Sequence, residues 1–294
     1  MRILVSGASG FVGRALVPFL RGKGYEVVRL IRTPSSRSRD TLFWLPSHSK
    51  KELEGFDAVI HLAGESIAGR WTEEKMHKIL ESRSLGTQQL AEALSKTKKP
   101  PRVFLSPSAV GYFGDRGEEV LFDESLSGVG FFPEVCRNWE GASAVLSEKG
   151  CRVVHPRFGL VLGRGGGILK KIIFPTKLFL AGSLGSGRQW ISWVSLRDVV
   201  SAIDFALNQP LLAGSFNLVA PEPIRQEEFA QKIAERLHRK VFLSYPSRLL
   251  RIAFGRMADE VLLASAKVKS KKLLDLGFEF HDLTIDSALK DAIK

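Results

Sequence analysis

The fold is decided by residues 3–13, which read Ile3-Leu4-Val5-Ser6-Gly7-Ala8-Ser9-Gly10-Phe11-Val12-Gly13. An apolar strand pattern runs straight into glycines at positions 7, 10 and 13, and a helical pattern follows. In such a unit the first glycine permits a tight turn, the second lets backbone amides approach a diphosphate, and the third permits close helix–strand packing. The helix N-terminus adds amide donors and positive potential. The residues predicted to hold the diphosphate are Gly7, Ser9, Gly10, Phe11, Val12 and Gly13.

The rest of the chain extends this unit into an α/β fold. Short β-branched runs alternate with longer amphipathic stretches, which predicts a doubly wound parallel sheet of the Rossmann type. We predict strands at 2–6, 26–31, 58–62, 102–106 and 152–158, helices at 10–22, 72–95 and 134–149, and an irregular insert at 33–55. Residues 1–162 form the predicted dinucleotide-binding domain, completed by about 193–220. A smaller, mostly helical substrate-binding cap is predicted from 163–192 and 221–294.

Composition favours a cytosolic protein with small-molecule partners. The 294 residues are 44% hydrophobic and 25% charged, which is ordinary for a globular protein. The sequence enters a strand pattern at once, with no signal-peptide layout, and two isolated cysteines suit a reducing compartment rather than a metal site. A net charge of +12 can attract nucleic acid, anionic membrane or phosphorylated ligands. Because the short basic clusters lack interleaved aromatic residues, we expect no nucleic-acid partner and expect most of the charge to be solvated. No run of 18 apolar residues occurs, so we expect no membrane partner either.

The end of the second strand predicts the cofactor. A domain that prefers NAD usually has an acid there to bind the ribose 2′-hydroxyl, whereas NADP requires cations for its extra phosphate. Here no acid occurs between Val27 and Asp40. Ile31 is predicted to border the adenosine, and Arg32, helped by Arg37, to pair with the 2′-phosphate as planar guanidinium groups do. The sequence therefore predicts NADP(H), with a surface-loop arginine as the alternative for Arg32.

Five segments together resemble the landmarks of extended short-chain dehydrogenase/reductases related to nucleotide-sugar epimerases. They are residues 7–13, 59–64 (Val-Ile-His-Leu-Ala-Gly), 105–112 (Leu-Ser-Pro-Ser-Ala-Val-Gly-Tyr), 157–163 (Arg-Phe-Gly-Leu-Val-Leu-Gly) and 193–199 (Trp-Val-Ser-Leu-Arg-Asp-Val). The C-terminal part resembles the extension of an atypical branch known as epimerase family proteins. Relatives of this fold are often dimers. The resemblance implies further cofactor contacts from Leu62, Ala63, Gly64, Arg83, Ser106 and Val161.

The expected catalytic residues are incomplete. Typical members have a Ser or Thr and a Tyr-x-x-x-Lys pair, in which the lysine assists proton exchange by the phenol. Ser108 fits the serine position, but Cys136-Arg137-Asn138-Trp139-Glu140 stands where the pair is due. Tyr112, Cys136 or Glu140 could transfer the proton instead, or water could do so while Ser108 polarises the carbonyl. A third interpretation is NADP binding without turnover. For Cys136, a buried apolar role is the simpler alternative.

The segment 185–193 is predicted to face the substrate, with Arg188 and Gln189 binding polar groups and Trp190 forming an apolar wall. Packing of the tryptophans in a core is the alternative, which we favour for Trp193. The sequence thus predicts an NADP(H)-dependent oxidoreductase or epimerase-like enzyme for a small polar carbonyl or alcohol, free or nucleotide-linked. The competing hypothesis is a catalytically silent, NADP-binding regulatory or redox-sensing protein.

Overall fold

The structure is a computed structural model that describes residues 1–33, 40–47 and 50–293. Its strands are β1 (Arg2–Ser6), β2 (Glu26–Ile31), β3 (Thr41–Phe43), β4 (Ala58–His61), β5 (Val103–Leu105), β6 (Ser108–Ala109), β7 (Val120–Leu121), β8 (Arg152–Phe158), β9 (Leu160–Leu162), β10 (Gly182–Leu184), β11 (Trp190–Ile191), β12 (Trp193–Ser195), β13 (Gly214–Leu218), β14 (Ile224–Arg225), β15 (Leu243–Tyr245) and β16 (Lys267–Val268). The α-helices are α1 (Phe11–Gly22), α2 (Glu73–Ser95), α3 (Phe131–Gly141), α4 (Ala144–Ser147), α5 (Leu169–Lys177), α6 (Leu196–Asn208), α7 (Gln226–Arg236), α8 (Ser247–Phe254), α9 (Lys271–Asp275) and α10 (Ile285–Ala292). Short 3₁₀ turns cover Lys50–Leu53 and Val110–Phe113, and a π-helical turn covers Ala258–Leu262.

The central sheet confirms the predicted doubly wound fold. Its strand order is β3-β2-β1-β4-β5-β8-β13, every pair is parallel, and β6 also pairs with β8. The chain runs outward from β1 to β3 and then returns to the other side of β1 as β4. Strand order therefore reverses between β1 and β4, and open α/β sheets bind ligands at the carboxyl ends of the strands at such a point.

Both faces of the sheet are buried, because successive side chains of each strand point to opposite faces. Ile3 and Val5 enter a core formed with α1 and α6, whereas Leu4 enters a second core formed with α2 and α4. The side chain of Thr72 caps α2 by accepting from the Lys75 amide, and acidic residues follow in its first turn. Helices α5, α7 and α10 enclose a further core around Trp193, which is fully buried.

Two predicted elements differ from the structure. The insert at 33–55 contributes β3, which pairs with β2, and three residues are too few to show a periodic pattern. The helix predicted at 134–149 begins earlier and breaks into α3 and α4 after Gly141. Glycine disfavours a helix interior, and the Ser143 hydroxyl contacts His155 Nε2 at 3.1 Å instead of continuing the helix surface. No helix of the described ranges is long and apolar enough to cross a bilayer.

A buried carboxylate attaches the C-terminal residues to the sheet region. Asp198, at the start of α6, is fully buried and accepts from the Ser195 hydroxyl at 2.9 Å. It also accepts from the backbone amides of His281 and Asp282 at 2.7 and 3.1 Å. Phe278 and Phe280 then pack into the core beside α6. Sequence-distant residues are thereby held beside the dinucleotide-binding fold.

We predict that Asp198→Ala destabilises the protein by about 3 kcal/mol, because it leaves buried amide donors without their charged acceptor. Urea-induced unfolding followed by circular dichroism measures this loss. Asp286→Ala is the matched control, since its exposed ion pair with Lys232 should contribute at most about 1 kcal/mol. Equal effects of the two substitutions would contradict the anchoring role of Asp198.

Candidate functional site

The glycine turn after β1 forms a cradle in which side chains do not fit. A Cβ atom on Gly7, whose φ is +67°, would lie 2.6 Å from the Leu62 carbonyl carbon. A Cβ on Gly13 would lie 2.3 Å from the Gly7 carbonyl oxygen. Gly10 begins α1 without a side-chain cap, and the first turn contains no acid. The amide-lined, positive end of α1 is thus open to an anion, as a dinucleotide diphosphate requires. The exposed Ser9 and the half-buried Phe11 and Val12 border the same turn.

The carboxyl ends of β1 and β4 meet beside this cradle. Ser6 pairs in register with His61, and the Ser6 hydroxyl contacts His61 Nδ1 at 2.7 Å. The same hydroxyl accepts from the Ala63 amide at 3.3 Å. Burial, followed by the charge of Arg32, lowers the pKa of His61 to about 4, so its imidazole is neutral at physiological pH. This network fixes Leu62, Ala63 and Gly64 directly below the glycine turn, where the resemblance expects the adenosine and diphosphate.

Arg32 is placed for the predicted phosphate contact. It is exposed immediately after Ile31 ends β2, and it forms no ion pair with a described residue. Asp40, the first acid after β2, is held by Arg21 at 2.7 Å and by Arg29 at 3.0 Å. That carboxylate is therefore engaged, and the charge beside β2 stays positive. Arg37, also predicted to contact the phosphate, lies outside the described residues.

Arg83 lies between the segment that follows β4 and the Trp139 side chain of α3. Its guanidinium donates to the Glu65 carbonyl at 2.9 Å and lies 4.9 Å from the Trp139 ring centre, while Gly64 faces the same group. Trp139 in turn donates its indole N–H to the Ser106 hydroxyl at 3.0 Å. Gly64, Arg83 and Ser106, all expected at the cofactor, are thus brought together. Val161 lies on β9 and packs on the same core as Leu62 and Val12.

Ser108 and Cys136 face each other at the end of β6. Ser108 is 2% exposed, and its Oγ has no hydrogen-bond partner in the described structure. The hydroxyl lies near the Cys136 thiol and the Glu140 carboxylate without completing a hydrogen bond to either. The Cys136 thiol contacts the Ala109 carbonyl at 3.8 Å. Burial, assisted by the negative charge of Glu140, raises the pKa of Cys136 to about 12, so the thiol stays protonated and inert as a base.

Glu140 is committed to a buried ion pair. Its two oxygens accept from Arg157 Nε and Nη2 at 2.8 and 2.9 Å, and from the Ser215 hydroxyl at 2.6 Å. Burial raises the pKa of Glu140, but the hydrogen bonds and charge of Arg157 outweigh it and leave the pKa below its usual value. Arg157 also stacks 3.5 Å over the Tyr112 ring centre. The hypothesis that Cys136 or Glu140 transfers protons is therefore not supported by their surroundings, whereas Tyr112 stays available.

A cleft of about 680 Å³ opens between α3 and the C-terminal region. Its lining includes Gly114, two residues after Tyr112, and Pro133 of α3, and its charged members are Asp115, Arg251, Asp259 and Glu260. Arg251 pairs with Asp259 at 2.9 Å. Glu260 accepts from the Phe132 amide at 2.6 Å, so a protein carboxylate already occupies the positive end of α3. The cleft is consequently acidic, although the protein is basic.

Of the three residues predicted to contact the substrate, Gln189 lines the cleft, whereas Arg188 and Trp190 do not. Gln189 lines the cleft, but its amide donates to the carbonyls of Leu184 and Leu262 at 3.0 and 2.9 Å and so ties two chain segments together. Arg188 is exposed and does not line the cleft. Trp190 is also absent from the lining. Its ring lies between the cations of Arg225 and Lys267, and its indole N–H donates to Glu118.

Sequence reasoning missed the charged residues that shape the site. Arg157 carried a usable signal, because an arginine inside an otherwise apolar strand must find a buried partner. Glu260, Asp115 and Asp259 gave no such signal, since they lie in polar stretches typical of a surface. Only the long-range packing of the C-terminal region brings Glu260 to α3.

Comparisons with known proteins identify the family. The NAD dependent epimerase/dehydratase family matches residues 3–134, and a domain of unknown function, DUF1731, matches residues 245–292. The chain is 35% identical over 298 residues to epimerase family protein SDR39U1 of Mus musculus, with 100% of both chains covered. It is also 35% identical over 291 residues to epimerase family protein MT2273 of Mycobacterium tuberculosis, covering 98% of this chain and 96% of that one.

Solved structures agree with the sequence matches. The crystal structure of human epimerase family protein SDR39U1 with NADPH has a TM-score of 0.92 and 32% identity, and the match covers 100% of this chain and 99% of that one. MoeE5 in complex with UDP-glucuronic acid and NAD has a TM-score of 0.82 at 21% identity, covering 100% and 98% of the two chains. The second likeness shows a common fold.

We predict that NADPH binds more tightly than NADH and that Arg32→Ala weakens NADPH binding about tenfold or more. A guanidinium–phosphate hydrogen bond contributes about 1.5–3 kcal/mol to binding. Because NADH has no 2′-phosphate, its affinity should not change. Fluorescence titration of both nucleotides measures the difference. Arg102→Ala, an exposed arginine at the amino end of β5, is the control and should leave both affinities unchanged. Equal weakening of NADPH and NADH by Arg32→Ala would refute the phosphate contact.

Proposed function

The chain belongs to the epimerase family of extended short-chain dehydrogenase/reductases, and from this we propose that it is an NADP(H)-dependent oxidoreductase or epimerase-like enzyme. Its substrate in this proposal is a small polar carbonyl or alcohol compound. The cofactor proposal is supported by the glycine cradle, by Arg32 beside an engaged Asp40, and by the NADPH in the human relative's structure.

The residues present fit such a cofactor. Gly7, Gly10 and the start of α1 would hold the diphosphate, Arg32 the 2′-phosphate, and Gly64 with Arg83 the middle of the dinucleotide. Bound NADP(H) would supply or accept a hydride at the nicotinamide ring. The chain's own contribution is to orient the reacting carbonyl or alcohol and to manage its proton.

The observation that carries the enzymatic proposal is the unpartnered Ser108 hydroxyl. A buried hydroxyl without a hydrogen bond costs about 1–3 kcal/mol, a cost that is understandable where a ligand completes the bond. Ser108 is buried at the carboxyl-terminal edge of the sheet, where this fold binds its ligands. We assign Ser108 to hold the reacting oxygen of the substrate.

For the proton, Tyr112 is the favoured group, with water as the alternative. Tyr112 lies in the 3₁₀ turn that follows β6. Neither Ser108 nor Tyr112 lines the cleft itself, and Gly114, two residues after Tyr112, is the nearest lining residue in the chain. The guanidinium of Arg157, itself paired with Glu140, stacks over the Tyr112 ring and holds that ring in place.

The cleft favours an uncharged or cationic substrate over a nucleotide-linked one. Three carboxylates and one guanidinium line it. Arg251 pairs with Asp259, and Arg256 pairs with Glu260 from outside the lining, which leaves Asp115 as the carboxylate without an ion pair among the described residues. A diphosphate entering this space would meet like charge at short range, which is unfavourable where water is partly excluded. We therefore propose a small polar carbonyl or alcohol without a phosphate group.

We predict that Ser108→Ala lowers turnover about a hundredfold or more, because loss of one donor to a developing oxyanion typically has an effect of this size. NADPH affinity should change less than twofold, since the serine contacts the substrate. Consumption of NADPH against a panel of small carbonyl compounds provides the assay, with Ser287→Ala on α10 as the control. Tight NADPH binding without turnover on any compound would instead support the catalytically silent regulator.

A second prediction concerns substrate charge. Calorimetric titration with UDP-glucose in saturating NADPH should show no binding at millimolar concentration, because the cleft carboxylates oppose the diphosphate. Combined Asp115→Asn and Asp259→Asn substitutions should make weak binding measurable. Micromolar binding of UDP-glucose to the unaltered protein would overturn the proposed substrate class and leave the cofactor proposal intact.

A further inference from the structure

The positive charge of the chain is concentrated in two segments without acids. Residues 164–197 and 236–258 each contain six Lys or Arg residues and no Asp or Glu. Together they hold twelve positive charges, which equals the net charge of the whole chain. The remainder has 31 Lys and Arg to balance its 31 Asp and Glu. Arg251 and Arg256 of the second segment pair with Asp259 and Glu260, which directly follow it, so the other ten cations form the local excess. A local excess of charge indicates a charged partner.

The fold joins these two segments into one surface. β10 of the first segment pairs in parallel with β15 of the second, from Gly182–Leu243 to Leu184–Tyr245. The Tyr245 hydroxyl donates to the Leu180 carbonyl at 2.9 Å. Arg239 lies 4.8 Å from the Phe179 ring centre. Segments that are about 60 residues apart in sequence thus present adjoining side chains.

Large apolar side chains are exposed on this surface. Phe174 and Phe242 are 68% and 70% exposed, and Leu178, Phe179 and Leu180 are 54%, 54% and 49% exposed. Cations accompany them, and none of these cations pairs with a carboxylate of the described residues. We call these ten residues the docking patch: Lys170, Lys171, Phe174, Lys177, Leu178, Phe179, Leu180, Arg239, Lys240 and Phe242.

Helix α5 shows how the patch is built. Its inner side buries Leu169 and Thr176 against the core shared with α7 and α10, which fixes its rotation. Its outer side then presents Lys170, Phe174 and Lys177 at helical spacing. Phe174 is the exposed apolar residue of this side, and Leu178, Phe179 and Leu180 extend the apolar surface directly after the helix. Exposed apolar residues flanked by lysines are typical of segments that lie in a membrane interface.

We propose that the docking patch binds the surface of an anionic lipid bilayer. The phenylalanines and leucines would enter the headgroup boundary, and the unpaired lysines and arginines would meet lipid phosphates and carboxylates. A second copy of the chain is a poorer occupant, because a two-fold axis would bring the same cations face to face. Nucleic acid would match the charge but would leave the exposed leucines in water.

Docking would also place the proposed substrate cleft near the lipid surface. β10 and β15 lead directly from the patch into Gly185 and Ser186, and into Pro246 and Ser247, all of which line the cleft. The proposal does not depend on the enzymatic activity. Lipid binding and NADPH binding can therefore fail or succeed separately.

Cosedimentation of the full chain with vesicles tests the proposal. Vesicles of phosphatidylcholine alone should retain little protein, whereas vesicles that also contain phosphatidylserine should bind it at least about tenfold more tightly. Combined Lys170→Glu, Lys171→Glu and Lys177→Glu substitutions should abolish that preference. Combined Phe174→Ser and Phe242→Ser should weaken binding about tenfold with the charge unchanged. All five positions are exposed, and thermal unfolding together with NADPH affinity verifies that each variant is folded.

Matched control variants separate the patch from general charge. Lys96→Glu, Lys98→Glu and Lys99→Glu make the same charge change in an exposed cluster elsewhere, and Leu126→Ser with Leu211→Ser remove exposed leucines elsewhere. Both controls should bind vesicles as the unaltered protein does. The proposal would be overturned if the control variants lost as much vesicle binding as the patch variants, or if vesicles with phosphatidylserine bound the protein no better than vesicles without it. It would also be overturned by a dimer in analytical ultracentrifugation that only the patch variants dissociate. Salt-sensitive DNA retention without vesicle binding would overturn it as well and would indicate a nucleic-acid partner.

Discussion

The structure depends on close contact between backbone atoms of the glycine turn after β1 and of the residues that follow β4, at the point where strand order reverses. Gly7 lies so close to the Leu62 carbonyl, and Gly13 so close to the Gly7 carbonyl, that a single added carbon would overlap either one. This proximity lets β1, β4 and α1 converge on one point, and it leaves the amide-rich end of α1 facing outward. In the cofactor site that we propose, Arg32, Gly64 and Arg83 contact one ligand, which fits only because no side chain fills the cradle.

The centre of the site shows how a missing acid–base pair changes its surroundings. Where related proteins have Tyr-x-x-x-Lys, α3 turns Phe132, Cys136 and Glu140 toward the sheet at successive helical turns. Glu140 stands at the position expected for the lysine, and a lone buried carboxylate there would be costly. Arg157 on β8 supplies its counter-charge and at the same time stacks on Tyr112.

Local sequence patterns were enough to predict most strands and helices of the fold, but few of the contacts within the site. β1, β2 and β8 could be predicted from apolar runs, and the ends of α1 and α2 from Gly22 and Thr72, because each signal lies within a few residues. Gln189 and Trp190 look like free binding groups in sequence, yet partners 73 and 72 residues away, Leu262 and Glu118, hold them. The lining of the cleft by Glu260 likewise depends on packing of the C-terminal region against α3. Such pairings have no local signature, since they follow from the tertiary structure.

Charge differs among three regions of the chain: the cofactor cradle, the cleft and the docking patch. The proposed cofactor cradle presents the partial charge of a helix end, the cleft lining has more carboxylates than guanidinium groups, and the docking patch has five cations. If the cleft were basic, the cleft and the neighbouring patch would attract the same anions. The cleft carboxylates, each held by a backbone amide or an arginine, make the cleft unattractive to anions and leave the charge of the patch unchanged. If both proposals hold, opposite signs at adjoining sites let an anionic surface and the substrate be recognised independently, although β10 and β15 contribute to both.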